Sequence, residues 1–133
     1  IAVAQPAYAA THYPEGMTAY NFRATPFISF NRKDDMQGEF VNHVFGLKRV
    51  ALNQLFVPSS EGQVRAAMAG WGASVVPELL VREHIAAGKL VNIAPNKVLP
   101  IQLYWHCWNL ESDVLDALTD ALLKAAAIAL PKT

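Results

Sequence analysis

A polar run that directly follows an apolar segment is the part of this sequence best suited to holding a small charged molecule. The run begins at Asn31 and ends at Asp35, and the apolar residues 26–30 before it predict a strand. In α/β folds, ligands bind in loops at the carboxyl ends of strands. Arg32 can grip a carboxylate, and Asp34 or Asp35 can face an ammonium or guanidinium group. The alternative is a solvated charge cluster in which Asp34 only caps the next helix.

Two serines form the second candidate site. Ser59 and Ser60 follow a predicted strand over residues 55–57 and come directly before a predicted helix. Ser60 and Gln63 match the Ser-x-x-Gln capping box, which marks the start of a helix. Free backbone N–H groups and the helix dipole make such a start suitable for a carboxylate. A plain N-cap without any ligand is the alternative interpretation.

An aromatic segment near the end of the chain is the third candidate. Trp105, His106 and Trp108 lie at or just after the end of a strand predicted over residues 101–105. These side chains can line a binding cleft or a hinge. The alternative is ordinary aromatic packing in a core.

The sequence contains no recognisable catalytic or metal-binding motif. The histidines do not show a metal-binding spacing such as His-Glu-x-x-His; they are His12, His43, His84 and His106. Cys107 is the single cysteine and has no nucleophile motif around it, so a buried, inert thiol is expected. Residues 70–72, Gly-Trp-Gly, lack the third glycine of a dinucleotide-binding loop. The sequence therefore predicts no enzyme, no bound metal and no cofactor.

The composition is that of one modest folded domain. Hydrophobic residues make up 53% of the 133 residues, which excludes a disordered chain. The formal net charge is zero, so these residues carry no electrostatic footprint for nucleic acid. No apolar run approaches the roughly 18 residues of a membrane span, and the first residues do not resemble a signal peptide. A lone cysteine fits a reducing cytoplasm.

Strand-like and helix-like segments alternate along the chain, which is typical of βαβ units and a mostly parallel sheet. Strands are predicted at residues 1–4, 26–30, 55–57, 74–76, 89–93 and 101–105. Helices are predicted at residues 6–12, 18–23, 34–45, 60–70, 78–87 and from about 112 to 131, with Ser112 as the last cap. Gly70 and Gly72 are expected to let the chain turn sharply from a helix into a buried strand.

The stretch from residue 57 to residue 93 resembles the effector-binding domain of LysR-type transcriptional regulators. It contains, in order, a polar loop, a helix ending in Gly-x-Gly, a buried strand, a proline, a short helix and Gly-x-Leu. Residues 30–40 (FNRKDDMQGEF) and 103–112 (LYWHCWNLES) are similar to the arginine- and lysine-responsive members, which control the export of basic amino acids. The resemblance covers essentially the whole chain.

The resemblance implies a periplasmic-binding-protein-like (type II) α/β fold, of which this chain is mainly the second lobe. Residues 5–99 would form that lobe, and residues 1–4 and 100–133 the crossing strands and a C-terminal helix of the first lobe. Most of the first lobe and an N-terminal winged helix-turn-helix would be absent. The apolar stripe of the last helix is then expected to be exposed, or covered by another copy of the chain.

The same resemblance implies binding rather than catalysis. The effector, lysine or arginine, would bind between the lobes, and DNA would bind through the absent N-terminal domain. The effector contacts expected from sequence and resemblance together are Asn31, Arg32, Asp34, Asp35, Ser59, Ser60 and Trp105. A homodimer or homotetramer without membrane contact is implied, with helix 60–70 and its alanines at part of the contact between copies. The alternatives are a periplasmic-type solute-binding protein for a small amino acid, and an enzyme on the same fold.

Overall fold

The computed structural model describes residues 1–132, which divide into two units after Pro100. The first unit contains β1 (Ala2–Ala4), α1 (Pro6–His12), β2 (Phe27–Ser29), α2 (Met36–Phe45), β3 (Gln54–Phe56), α3 (Ser60–Met68), β4 (Ser74–Val75), α4 (Glu78–Ala86) and β5 (Val91–Asn92). The second unit contains α5 (Asp113–Ala129). The predicted alternation of strands and helices is confirmed for the first unit.

The strands pair in a mixed pattern. β1 lies between β4 and β5 and is antiparallel to both. β2 and β3 are parallel, and a parallel bridge between Phe27 and Ala73 brings β2 beside the start of β4. The α/β class is as predicted, but parallel pairing does not predominate, because β1 enters the sheet in the opposite direction to both of its neighbours.

Three helices begin near the carboxyl ends of the strands β2, β3 and β4. β2, β3 and β4 run in the same direction, so their carboxyl ends lie together, and α2, α3 and α4 each begin shortly after one of them. The loops over residues 30–35 and 57–59 lie at this carboxyl edge. The fold therefore places two of the predicted site segments side by side.

The core has two apolar clusters, one on each face of the strands. Neighbouring residues of a strand point to opposite faces, so Phe27 joins the cluster that contains Phe40 of α2, and Ile28 joins the cluster that contains Val64 of α3. The strands β1, β2 and β4 are buried throughout. Burial on both faces explains why their residues are apolar or small rather than alternately apolar and charged; the two polar residues, Ser29 and Ser74, are serines that are themselves buried.

A helix predicted at residues 18–23 is absent, and this stretch forms turns. Thr18 Oγ1 accepts hydrogen bonds from the backbone N–H groups of Tyr20 and Asn21, at 3.2 and 3.1 Å. The Asn21 side chain in turn accepts from the Thr18 N–H and donates to the Gly16 carbonyl. These side-chain bonds replace the backbone bonds of a helix.

The alanine-rich face of α3 does not fit the predicted contact between copies of the chain. Ala66 and Ala67 are buried inside the first unit, and Ala67 belongs to its core. Of the three alanines in the predicted helix 60–70, Ala69 alone is exposed. The small residues allow α3 to pack closely on the sheet instead.

The second unit has no strand at residues 101–105, contrary to the sequence prediction. Within the described part of this unit no other strand is present that could pair with the segment. α5 begins as predicted, with Ser112 Oγ accepting from the Leu115 N–H at 3.3 Å. None of its residues is buried, and Val114 is 80% exposed, so its apolar stripe is uncovered as expected. Among residues 1–132, no helix has the length and apolar character needed to cross a membrane.

The two glycines around Trp71 have different roles in the turn from α3 to β4. Gly70 has a φ of +77°, a backbone conformation that glycine adopts without strain. Gly72 lies so close to β2 that a Cβ atom built on it would be 2.4 Å from the carbonyl oxygen of Pro26. Gly72 is therefore required because a second backbone passes it, not because of its own dihedral angles.

We expect Gly72→Ala to lower the free energy of unfolding by about 1–3 kcal/mol, because the backbone of Pro26 must shift to admit a methyl group. Gly38 is the matched control: it lies in α2 with open space around its Cβ position. Gly38→Ala should leave stability unchanged or raise it by up to about 1 kcal/mol. Urea unfolding followed by circular dichroism measures both changes, and equal effects of the two substitutions would contradict the close approach.

Candidate functional site

The carboxyl edge is shaped by the way β2 and β4 separate. Where they begin, the two strands pair through backbone atoms. The Ala73 N–H donates to Pro26 O at 3.1 Å, and the Ile28 N–H donates to Ala73 O at 2.8 Å. In a regular parallel ladder the next rung would join Val75 to Ile28 and Phe30 in the same way. That rung is made by side chains instead.

Gln37 of α2 supplies the larger part of this side-chain rung. Its side chain is fully buried, its Oε1 accepts from the Val75 N–H at 2.7 Å, and its Nε2 donates to Val75 O at 3.3 Å. Ser74 Oγ donates to Ile28 O at 3.3 Å, and the Phe30 N–H donates to Asp34 Oδ2 at 2.8 Å. Every backbone group of the missing rung is thus paired, as buried polar groups must be.

Asp34 holds the loop that leaves β2. Its Oδ2 accepts from the Phe30 N–H at 2.8 Å, and its Oδ1 accepts from the Met36 N–H at 3.0 Å. Asp34 therefore makes the capping interaction at the start of α2 that the sequence offered as an alternative. Both of its oxygens bind the chain's own backbone, so its contact with a ligand stays a prediction.

Asp35 differs from its neighbour in what its carboxylate contacts. The side chain is exposed, and it makes no capping hydrogen bond although it immediately precedes α2. It faces a cavity of about 350 Å³ at the surface of the first unit. The cavity is lined by Arg32, Asp34, Asp35, Gly38, Glu39, Asn42, Arg49, Val50, Leu52 and Gln54.

Asn42 lines this cavity, but its Oδ1 atom lies below the accessible surface. This oxygen has no hydrogen-bond partner within the described residues. A buried acceptor without a donor is unfavourable by about 1–3 kcal/mol. Asn42 therefore contributes a locally unfavourable polar group beside the cavity rather than an exposed acceptor.

Of the predicted site residues, Arg32, Asp34 and Asp35 line this cavity, whereas four of its polar residues were not predicted: Glu39, Asn42, Arg49 and Gln54. Glu39 and Asn42 follow Asp35 by four and seven positions, which is the spacing of one helix face and was a usable signal. Arg49 reaches the cavity from the loop after α2, where it has a φ of +53°. Nothing in the local sequence places that arginine beside the first turn of α2.

The serines lie at the end of the neighbouring strand. Ser59 is the N-cap of α3, and its Oγ accepts from the Gly62 N–H at 3.0 Å. The predicted capping box of Ser60 and Gln63 is wrong: the cap is one residue earlier, and the third helical position is then Gly62, which has no side chain to complete a box. Gln63 is instead buried, and its Nε2 donates to Val57 O at 3.4 Å. Ser60 is exposed at the first position of α3.

A cation–π contact spans the ends of β2 and β3. The guanidinium carbon of Arg32 lies 5.9 Å from the centre of the Phe56 ring. Asn31, one position earlier, uses its Oδ1 to accept from the Lys33 N–H at 2.9 Å, which tightens the loop. The loop of residues 31–35 is therefore held by its own side chains and leaves Arg32 and Asp35 at the cavity.

Trp105 belongs to the second unit, and its indole Nε1 donates to Thr119 Oγ1 of α5 at 3.1 Å. Its predicted role in a cleft stays a prediction. The prediction that Cys107 is buried is wrong: it is exposed, in a segment of residues 101–112 that forms neither helix nor strand. In the part of the chain that the structure describes, no group of three or more histidine, cysteine or acidic side chains is placed to hold a metal ion.

Comparison with known proteins finds relatives of this chain. Residues 1–127 match the family described as the LysR substrate binding domain. The HTH-type transcriptional regulator ArgP of Photobacterium profundum is 36% identical over 132 residues, which are 99% of this chain and 44% of that protein. The C-terminal domains of a LysR family protein from Agrobacterium tumefaciens give a TM-score of 0.86 at 34% identity, covering 99% of this chain and 63% of that one.

A third relative was solved with a ligand. Full-length LysG from Corynebacterium glutamicum, with the effector Arg bound, gives a TM-score of 0.77 at 28% identity, covering 99% of this chain and 44% of that chain. The chain thus spans less than half the length of the curated relatives it matches. Their names describe transcriptional regulators, which does not favour the solute-binding protein or the enzyme as alternatives.

The different contacts of Asp34 and Asp35 predict different effects on stability. We expect Asp34→Ala to lower the free energy of unfolding by about 1–2 kcal/mol, because the N–H groups of Phe30 and Met36 lose their acceptor. Asp35→Ala should change it by no more than about 0.5 kcal/mol. Urea unfolding of the two variants checks this, and a larger effect at Asp35 would overturn the assignment.

Proposed function

Because this chain belongs to the LysR substrate-binding domain family, we propose that it is the effector-sensing part of a transcriptional regulator that responds to arginine or lysine. The observation that carries the proposal is the exposed carboxylate of Asp35 at the carboxyl edge, in a cavity that Glu39 also lines. Two carboxylates suit a guanidinium or ammonium group. The arginine bound to LysG supports the same ligand class.

The two ends of an amino acid need opposite partners. We assign the side-chain cation of the ligand to Asp35, assisted by Glu39. Arg32 lines the same cavity and can bind the α-carboxylate in a bidentate manner. Ser59 and Ser60, at the neighbouring helix start, remain the second predicted partners of that carboxylate. Asn31 and Asp34 then shape the loop that carries Arg32 and Asp35.

The domain arrangement is part of the same proposal. Residues 5–99 form a second lobe, residues 1–4 supply a crossing strand, and the chain after residue 99 supplies an irregular return segment, with Trp105 as the proposed cleft residue, and a helix that packs on a first lobe. The uncovered apolar stripe of α5 supports a partner surface of this kind. A winged helix-turn-helix outside this chain binds DNA, and the regulator works in the cytoplasm as a homodimer or homotetramer.

Effector binding acts on DNA through a difference in affinity. Arginine or lysine favours one arrangement of the two lobes because it contacts both of them in that arrangement only. The ligand can shift the assembly only by as much as its affinities for the two arrangements differ.

We expect Asp35→Asn in the full-length protein to weaken arginine binding by about 10- to 100-fold, because a charge-assisted contact worth about 1.5–3 kcal/mol is lost. Isothermal titration calorimetry at fixed salt measures the affinity. Citrulline, the uncharged isostere of arginine, is the matched ligand: the wild type should prefer arginine, and Asp35→Asn should lose most of that preference. Glu83→Gln, an exposed acid on α4, is the control variant and should bind as the wild type does.

Two outcomes of this titration contradict different parts of the proposal. Unchanged arginine affinity in Asp35→Asn would remove Asp35 from the site while leaving the effector class in place. A wild-type protein that binds neither arginine nor lysine would refute the effector class itself.

A further inference from the structure

We propose that Gln37 is a positioning residue for the effector: its buried amide holds β2 and β4 apart at the carboxyl edge and thereby sets the loop of residues 30–35. The inference rests on the proposed function of that loop and deepens it. Gln37 does not line the cavity, so it would act only through the backbone that it binds.

The position of Gln37 is one where an apolar side chain would be the ordinary choice. It is fully buried beside core residues such as Phe40 and Val41 of the same helix. Glutamine is rarely found in such surroundings, because its amide must be paired to be tolerated. Here both ends of the amide are used, and both bind the same residue, Val75. The side chain thus takes the place of a strand at this point.

The backbone groups involved have a second way of pairing. If the ladder between β2 and β4 continued, the Phe30 N–H would donate to Val75 O and the Val75 N–H to Ile28 O. Asp34 would then have to release the Phe30 N–H that it binds at 2.8 Å. The loop after β2 would be drawn toward β4 and away from β3, where Arg32 now lies against Phe56.

Gln37 and Asp34 stabilise the open arrangement together. They are three residues apart at the junction of the loop and α2, and each satisfies one strand of the missing rung. Asp35 lies between them in the sequence, so its backbone position is set by the hydrogen bonds of both neighbours. The position of the proposed cation-binding carboxylate therefore depends on whether Gln37 keeps the strands separated.

The chain offers a matched control for this inference. Gln63 of α3 is the other buried glutamine, and its Nε2 donates to Val57 O, outside the rung. Methionine has a similar length to glutamine but lacks its amide. Gln37→Met therefore removes the hydrogen bonds to Val75, and Gln63→Met removes the hydrogen bond to Val57 O. Gln37→Met should weaken arginine binding to the full-length protein about 10-fold or more, and Gln63→Met by less than about 3-fold.

A spectroscopic measurement without ligand separates positioning from packing. The Phe30 amide is bonded to Asp34 and not to Gln37, so its ¹⁵N–¹H shift and hydrogen-exchange rate report on the loop. We expect Gln37→Met to change both quantities at Phe30 as well as at Val75, and Gln63→Met to change neither. If Gln37→Met does not fold, Gln37→Glu keeps an acceptor for the Val75 N–H and, as a carboxylate, sets a negatively charged oxygen against the Val75 carbonyl in place of the donor. The same measurements apply.

The outcomes distinguish this inference from the proposed function. An unchanged Phe30 amide in the Gln37 variants, or an unchanged arginine affinity, would overturn the positioning role. Failure of the wild type to bind arginine and lysine would refute the proposed function and with it the effector, while the Phe30 amide would still show whether Gln37 sets the loop.

Discussion

The separation of β2 from β4 is the constraint on which the carboxyl edge of this sheet depends. Two adjacent strands normally continue to pair until one of them ends, because unpaired buried N–H and C=O groups are unfavourable by about 1–3 kcal/mol each. Here the strands part after one backbone rung, and the groups left behind are paired by Gln37, Ser74 and Asp34. The loop between β2 and α2 can therefore leave the sheet early.

The opposite end of the same pair of strands is held unusually close. Gly72 approaches the Pro26 carbonyl to a distance that no side chain would allow. The two strands therefore diverge from a tight contact at Gly72 to a gap filled by Gln37. This geometry explains the Gly-Trp-Gly sequence: Gly70 turns the chain out of α3, and Gly72 lets β4 start directly against β2.

Local sequence signals predicted the parts of this fold that depend on local interactions. The cap Ser112 and the alternation of strands and helices are confirmed, and so is the capping role of Asp34. The strand expected at residues 101–105 is absent, because a strand needs a partner that its own sequence does not supply. The direction of β1 relative to its neighbours is likewise a property of the whole sheet.

The site shows the same division between local and long-range information. Asp34 and Asp35 are chemically identical and adjacent, and only the position of the Phe30 and Met36 N–H groups separates the structural acid from the free one. Arg49 and Gln54 join the cavity because the chain after α2 returns along that helix. The spacing of residues within a motif does not predict which distant residues the path of the chain brings beside it.

We propose above all that a basic amino acid binds at the carboxyl edge through Asp35 while Asp34 and Gln37 hold the loop in place. The most direct measurement is a crystal structure of the full-length protein with L-arginine bound. We expect the guanidinium group to lie within hydrogen-bond distance of the Asp35 carboxylate, with the Phe30 N–H still bonded to Asp34. Arginine bound elsewhere, with Asp35 facing solvent, would contradict it.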